Sequence, residues 1–308
     1  MANTYGKVSG TFQEADQVYA KVSGTWEEVD EVYGKVSGDW KLVFSAFEAT
    51  AIQTLSSGSG TFAVPAQANA IHIQAAVGGG GGAVGGADYD KAGGESAGAG
   101  GGSGAFISDK IFSVTGGETL TYSIGSSGSG AGKGFNVTAS GGGTTTLSGG
   151  TSGSLFSLTG GGGSSGTGGG VQGPLRSNTA GTAGSATISG TAITSGNFRD
   201  TDGTQKAVTT NTSGPDGTFN SSGNGAVGSN NGNCGGDNCR IGGSNGAASY
   251  DGNISGGSGG SSSGAGTNGS AGTRGSGGGG GAAQVNAGST NGAAGGNGEI
   301  RYRFLKVN

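Results

Sequence analysis

Glycine recurs at every third residue through Gly266, Gly269, Gly272, Gly275, Gly278 and Gly281, and this spacing constrains the chain more than any other feature. Shorter runs repeat it at Gly160, Gly163, Gly166 and Gly169, at Gly79, Gly82 and Gly85, and at Gly292, Gly295 and Gly298. Three residues per turn is the period of the polyproline II helix, which makes no internal hydrogen bonds. A chain with glycine once per turn can lay that bare face against a neighbour and bond backbone to backbone. The pattern therefore predicts a bundle of polyglycine II helices, a stiff platform for variable loops. The competing reading of Gly/Ser-rich sequence is a flexible, disordered linker. Collagen, the other structure with glycine at every third residue, needs roughly 15–20% proline or hydroxyproline, and three prolines in 308 residues exclude it.

Glycine makes up 79 of the 308 residues, nearly all after Val77, and only 31% of residues are hydrophobic. An apolar core of matching size cannot be built, so order in the second half must rest on backbone hydrogen bonds and close packing. The formal net charge is −4, with Lys and Arg scattered rather than striped, which argues against nucleic acid as a partner. No signal peptide opens the sequence, and no apolar run reaches the ~18 residues of a membrane span. The expectation is a protein without membrane insertion that, if it acts outside a cell, leaves by a route such as lysis. Cys234 and Cys239 stand in a C-x4-C spacing. Two cysteines do not make a zinc site, and both a local disulfide and a pair of free thiols remain open.

Residues 7–43 repeat with a period of 14: KVSGTFQEADQVYA, KVSGTWEEVDEVYG, KVSGDWKLV. Each unit reads as strand, Ser-Gly turn, strand, with a second turn at Ala-Asp or Asp-Glu. The register sets Val22 against Thr25, Lys21 against Trp26, Tyr19 against Glu28 and Val18 against Val29. Carried along a continuous meander, it builds a cation–aromatic ladder of Lys7, Phe12, Lys21, Trp26, Lys35 and Trp40. A second ladder holds Tyr5, Glu14, Tyr19, Glu28 and Tyr33. Cross-strand pairs of this kind contribute about 0.2–1 kcal/mol each. A sheet this small is marginal by itself, so residues 1–48 are read as an attachment or oligomerisation module working through Phe12, Tyr19, Trp26, Tyr33 and Trp40. A self-contained meander with a purely structural role is the alternative.

A connector, SAFEATAIQTLSS, precedes strand-like segments at Gly60 to Val64, Ala70 to Val77, Ala105 to Thr115, Glu118 to Ile124, Phe135 to Thr138 and Leu155 to Thr159. Pro65-Ala66 starts a turn, Ile71, Ile73 and Ala75 share one face, and Thr115-Gly116-Gly117-Glu118 reads as a hairpin turn. The chain closes on GEIRYRFLKV, with Ile300, Tyr302 and Phe304 alternating against Arg301 and Arg303. A disordered tail has no use for an amphipathic final strand that needs a sheet to join.

GTFAVP, a polar turn, AIHIQAAVGGGGG, a hairpin and a strand after the glycine together resemble the glycine-rich domain of bacteriophage tail-fibre proteins. The resemblance covers Gly60 to about Thr159 and the last strand. Residues 160–297 are similar to the polyglycine II sandwich of tail-fibre tip adhesins of T-even-like phages. It implies a virion location and recognition of a bacterial surface receptor through tip loops. The 14-residue repeats and breaks in the glycine phase, as at Ser263, depart from the pattern.

The reading is thus an all-β protein with a polyglycine II bundle and no α-helical domain. Residues 1–48 attach or oligomerise and contact other phage tail proteins. Residues 49–159 with 298–308 form a β framework, and residues 160–297 carry recognition. Loops on rigid scaffolds carry binding, and aromatic and Arg side chains anchor interfaces. The segments poorest in glycine there are PLRSN within 173–178, residues 197–219 and residues 230–251. They nominate Phe198, Arg199, Lys206, Phe219, Arg240, Ile241 and Tyr250. The competing reading packs Phe198, Phe219 and Ile241 as small local cores. An enzyme is disfavoured, and no cofactor or metal is expected. Gly260-Ser-Ser262-Ser-Gly264 lacks the strand–turn–helix setting of a nucleophile elbow, Lys133 is followed by Gly134 rather than Ser or Thr, and Asp200-Thr-Asp202-Gly is a fragment of a calcium loop better read as a turn. A structural fibre or baseplate protein and a fibre-borne depolymerase are the other readings.

Overall fold

The computed structural model describes the chain apart from residues 1–4, 9–10, 15–17, 30, 37, 46, 87–94, 135, 168–176, 209–220, 224–232, 235–239, 242, 249–255, 262–266 and 285–289. The described part is all-β, without an α-helix. Its apolar residues gather between two antiparallel five-stranded sheets. One orders Ser221–Gly223, Phe106–Ser113, Ala70–Val77, Glu299–Leu305 and Gln53–Leu55. The other orders Ala186–Ile188, Gly153–Leu158, Thr145–Gly149, Thr119–Ser123 and Ser59–Ala63. Ile71, Ile73, Phe112 and Ile300 from the first meet Leu120, Leu147, Phe156 and Leu158 from the second in one buried cluster. Phe62 stacks on Tyr302 at 4.5 Å between ring centroids. The final strand takes its predicted place in a sheet, between Ala70–Val77 and Gln53–Leu55, with Ile300, Tyr302 and Phe304 inward.

Three local expectations change. The register shifts between Arg301 and Tyr302, so Gln74 forms a bulge and Ala76 rather than Ala75 joins Ile71 and Ile73 in the core. The extra residue flips the face that follows it. Thr115 to Glu118 turns, but the strands on either side enter different sheets, so it is an arch and not a hairpin. Glu118 holds the arch together, accepting from the Thr115, Thr151 and Ser152 backbone N–H groups and the Ser152 hydroxyl. Burial works to raise its carboxyl, and these four bonds overcome burial and lower it. Strands at Thr145–Gly149 and Ala186–Ile188 carry few large apolar residues and were not legible as strands; Gln53–Leu55 lies in the stretch read as a connector.

Seven sandwich strands run straight on into, or out of, extended glycine-rich stretches, here called rods. Ala70–Val77 continues as 78–86 and Thr119–Ser123 as 125–134. Gly153–Leu158 continues as 159–164. Rods 97–105, 139–143, 180–184 and 290–298 lead back into strands. Further rods at 243–248, 256–261, 267–272 and 275–282 have no sandwich strand of their own. Rod bonding repeats every three residues. Gly78, Gly81 and Val84 donate to Ala105, Gly102 and Ala99; Gly79 and Gly82 donate to Gly143 and Ser140; Gly80 and Ala83 donate to Gly296 and Ala293. In return, carbonyls of Gly79 and Gly82 accept from Gly161 and Ser164, those of Gly80 and Ala83 from Gly128 and Ala131, and those of Gly81 and Val84 from Gly278 and Gly281. Rod 78–86 therefore has six neighbours. It donates to three that run against it and accepts from three that run with it. Rod 275–282 also has six neighbours, donating to 78–86, 243–248 and 267–272 and accepting from 97–105, 256–261 and 290–298, but in each set one runs with it and two run against it.

The absence of side chains makes this possible. Two sheets separated by large apolar residues cannot exchange backbone hydrogen bonds; where alternation stops and glycine begins, the layers close into one array. A Cβ built on Gly80 would lie 1.9 Å from the Ser276 carbonyl oxygen, and on Gly81 2.0 Å from that of Gly162. Thr145 spans the junction, its hydroxyl accepting from Gly125 N–H at 2.9 Å and donating to the Val77 carbonyl at 2.8 Å. The run from Gly266 to Gly281 is not one rod. It turns at Thr273 to Ser276, with Arg274 and Gly275 at φ 41° and 74°, and returns as an antiparallel neighbour. The run from Gly160 leaves the array after Ser164, because Ser165–Thr167 pairs as a strand.

The 14-residue repeats form hairpins in the predicted register, including Lys7 opposite Phe12, Lys21 opposite Trp26 and Lys35 opposite Trp40. Among the described residues no ladder joins one hairpin to the next, so they are separate two-stranded sheets and not a meander. Trp26 is 66% exposed and Tyr33 50%.

Candidate recognition surface

Strand directions give the array two ends. Val77, Phe106, Ser123, Thr145, Leu158, Ala186 and Glu299 stand where strands meet rods. Gly86, Gly134 and Ser164 are at the opposite, far end, as are the starts of the returning rods at 97, 139, 180 and 290. There the chain resumes short strand pairings. Val137–Thr138, Ser165–Thr167 and Ser177–Thr179 make a three-stranded sheet, Glu95–Ser96 pairs with Asn233–Cys234, and Arg240–Ile241 pairs with Ala283–Gln284. Val84, Ala99 and Ala139 form a small apolar plug beneath them. Asn178 donates from Nδ2 to the Ala97 carbonyl at 2.6 Å.

The nominated recognition residues do not come together. Arg240 and Ile241 lie at the far end through their pairing with Gln284 and Ala283. Phe198, Arg199 and Lys206 belong to a hairpin, Asn197–Arg199 with Gln205–Ala207, at the other end of the molecule. That hairpin lies on the outer face of the first sheet, where Phe198 packs with Ala49, Ala70, Ile111, Leu305 and Val307. Phe198 is only 4% exposed, so its ring fills a local core and presents no contact surface. Phe219, Tyr250 and Cys239, and residues 173–176 of the PLRSN stretch, lie outside the described residues; Cys234 contributes backbone pairing with Glu95. Tyr19 stands opposite Glu28, and Phe12, Trp26 and Trp40 stand opposite the repeat lysines.

Beneath the 197–207 hairpin runs a buried polar chain that pattern reading missed. Asp109, at φ 52°, faces His72, with Oδ1 2.5 Å from Nε2. Arg303 donates from Nε to His72 Nδ1 at 3.3 Å and from Nη1 to Asp200 Oδ1 at 2.6 Å. An arginine N–H can only donate, so Nδ1 is the accepting atom of that contact and Nε2 is the ring nitrogen turned to Asp109. Lys206 pairs with Asp200, and the Arg303 guanidinium lies 5.4 Å from the centroid of the Phe198 ring. Burial works to raise the Asp200 carboxyl; hydrogen bonds from Lys206 and the Thr201 N–H, with the charge and hydrogen bond of Arg303, outweigh it and hold it at about 2. Asp202 accepts from Thr204 N–H and Oγ1. Both carboxylates of the calcium-loop fragment are thus engaged within the protein, as a turn. His72 and Arg303 stand on the faces of their strands opposite the apolar residues that fill the sandwich, and the covering hairpin makes them interior.

A family model for a glycine-rich domain matches residues 54–305, the span that holds sandwich and rods together. The chain belongs to the glycine-rich domain family. No curated protein matched it. The family's span begins after the hairpin repeats, so the repeats are an addition to the domain.

Proposed function

We propose that this glycine-rich domain protein is a tail-fibre tip adhesin of a bacteriophage. It would sit on the virion and recognise a bacterial outer-surface receptor, protein or glycan, at the far end of a polyglycine II array. The three-residue bonding period and the six neighbours around rods 78–86 and 275–282 support the polyglycine II reading. The observation that carries the adhesin reading is the direction of the rods: anchored on one sandwich, they bring Gly86, Thr167, Ser177, Ser261, Thr267, Gln284 and Thr290, the described residues nearest four intervening intervals, to the same end. Loops clustered at one end of a rigid scaffold are a common site of recognition. The hairpins of residues 1–48, with Trp26 and Tyr33 outward, attach the protein to other tail proteins or to its own copies.

The test is labelling of candidate bacterial cells by the fluorescent full-length chain. A second form carries Gly-Ser replacements of equal length at 168–176 and 262–266, and a third carries Lys206→Ala at the opposite end. Labelling by the parent and by Lys206→Ala, lost in the replacement form, supports the reading. Equal labelling by parent and replacement, or no labelling of any host by the parent, overturns it.

A further inference from the structure

Four Asn-Gly steps lie within the rods, at 245–246, 268–269, 291–292 and 297–298, and the array treats them alike. Each glycine N–H donates to a neighbouring rod: Gly246 to Gly257 O at 2.9 Å, Gly269 to Asn291 O at 3.1 Å, Gly292 to Ala131 O at 3.1 Å and Gly298 to Gly125 O at 2.8 Å. Each asparagine side-chain oxygen accepts from that same rod. Asn245 Oδ1 accepts from Gly259 N–H at 2.8 Å and Asn268 Oδ1 from Asn291 N–H at 2.8 Å. Asn291 Oδ1 accepts from Lys133 N–H at 3.2 Å and Asn297 Oδ1 from Ser127 N–H at 2.9 Å. Every step is thus a two-point clamp on its neighbour, and all four asparagines are solvent-exposed.

Asn-Gly is also the dipeptide best disposed to attack itself. The glycine nitrogen adds to the asparagine Cγ, a C–N bond forms, the amide NH2 leaves as ammonia, and a succinimide remains. Water then opens the ring to aspartate or isoaspartate. The reaction needs a free glycine N–H and a side chain able to swing back over it, and the clamp denies both. We propose that these four steps are latent deamidation sites, held inert by the rod array and released only when neighbouring rods part. Isoaspartate adds a methylene to the backbone and breaks the three-residue period, so one local opening becomes a permanent fault. The inference rests on the clamps and is independent of the receptor reading.

The full-length chain is incubated in mildly alkaline buffer, folded and in urea, and the four sites are followed by peptide mapping that resolves aspartate, isoaspartate and asparagine. The expected rates are at least about tenfold slower in the folded chain, because reaction must pass through local opening. Gly80→Ala, which forces apart rods 78–86 and 275–282, raises the folded rates toward those in urea. Equal rates at the four sites in the folded and denatured chain overturn the proposal.

Discussion

At the scale of single residues, glycine is needed for space rather than for a special φ. Gly80 and Gly132 both sit in rods. A Cβ on Gly80 meets a backbone oxygen at 1.9 Å, whereas one on Gly132 meets only Asn291 Oδ1 at 3.9 Å. Gly80→Ala must push two backbones apart and is expected to cost about 3 kcal/mol or more. Gly132→Ala should be neutral or stabilise by up to about 1 kcal/mol, since alanine loses less chain entropy on folding. Urea unfolding of the two variants measures the contrast. Asp200 carries a pH signature. Its carboxyl is held at about 2 when folded, against about 3.9 in an unfolded chain. A depressed folded value means that the stabilisation is present above pH ~4 and lost as pH falls through about 2, with an upper bound of about 2.6 kcal/mol. Asp200→Asn should therefore flatten the acid side of the curve of melting temperature against pH. Glu118 titrates in the same direction, so the difference between parent and variant is the quantity to read.

At the scale of elements, the decisive feature is the passage from strand to rod. Strands need side chains to space the sheets, rods need their absence, and Thr145 is placed where one becomes the other. Thr145→Val keeps the shape but leaves the Gly125 N–H and the Val77 carbonyl buried without this partner. It should cost about 2–3 kcal/mol in thermal or denaturant unfolding. The hairpin repeats show how far short-range pattern reaches. Lys21 opposite Trp26 follows from the Ser23-Gly24 turn, at φ 49° and 93°, and the period-14 sequence dictated it in each copy. Whether adjacent hairpins pair depends on Asp-Glu turns that do not favour the required backbone, and among the described residues no ladder joins them.

At the scale of the molecule, order is greatest where side chains are smallest. Rods 78–86 and 275–282 are bonded on all sides and carry the two longest runs of consecutive glycine, at 78–82 and 277–281. Hydrogen exchange should find the amides of Gly79 to Gly82 and Gly277 to Gly281 among the slowest, opening only with global unfolding, and those of the outer rod 267–272 faster. Uniform rapid exchange through both glycine runs would show that the array does not hold together in solution.

Local pattern was sufficient for much of this. Alternation placed Ala70–Val77 and Glu299–Leu305, because a buried strand needs apolar residues at period two. Glycine at every third residue announced rods with one bare face. Tertiary structure alone decided the rest. It divided the Gly266 to Gly281 run at a turn, since six neighbours can gather around rod 275–282 only if the chain doubles back. It placed Arg240 and Phe198 at opposite ends, because strand direction and not composition determines which end of the array a segment reaches. It also made His72, Arg303 and Asp200 interior, because a covering hairpin lies far away in sequence and leaves no mark on the strands it covers.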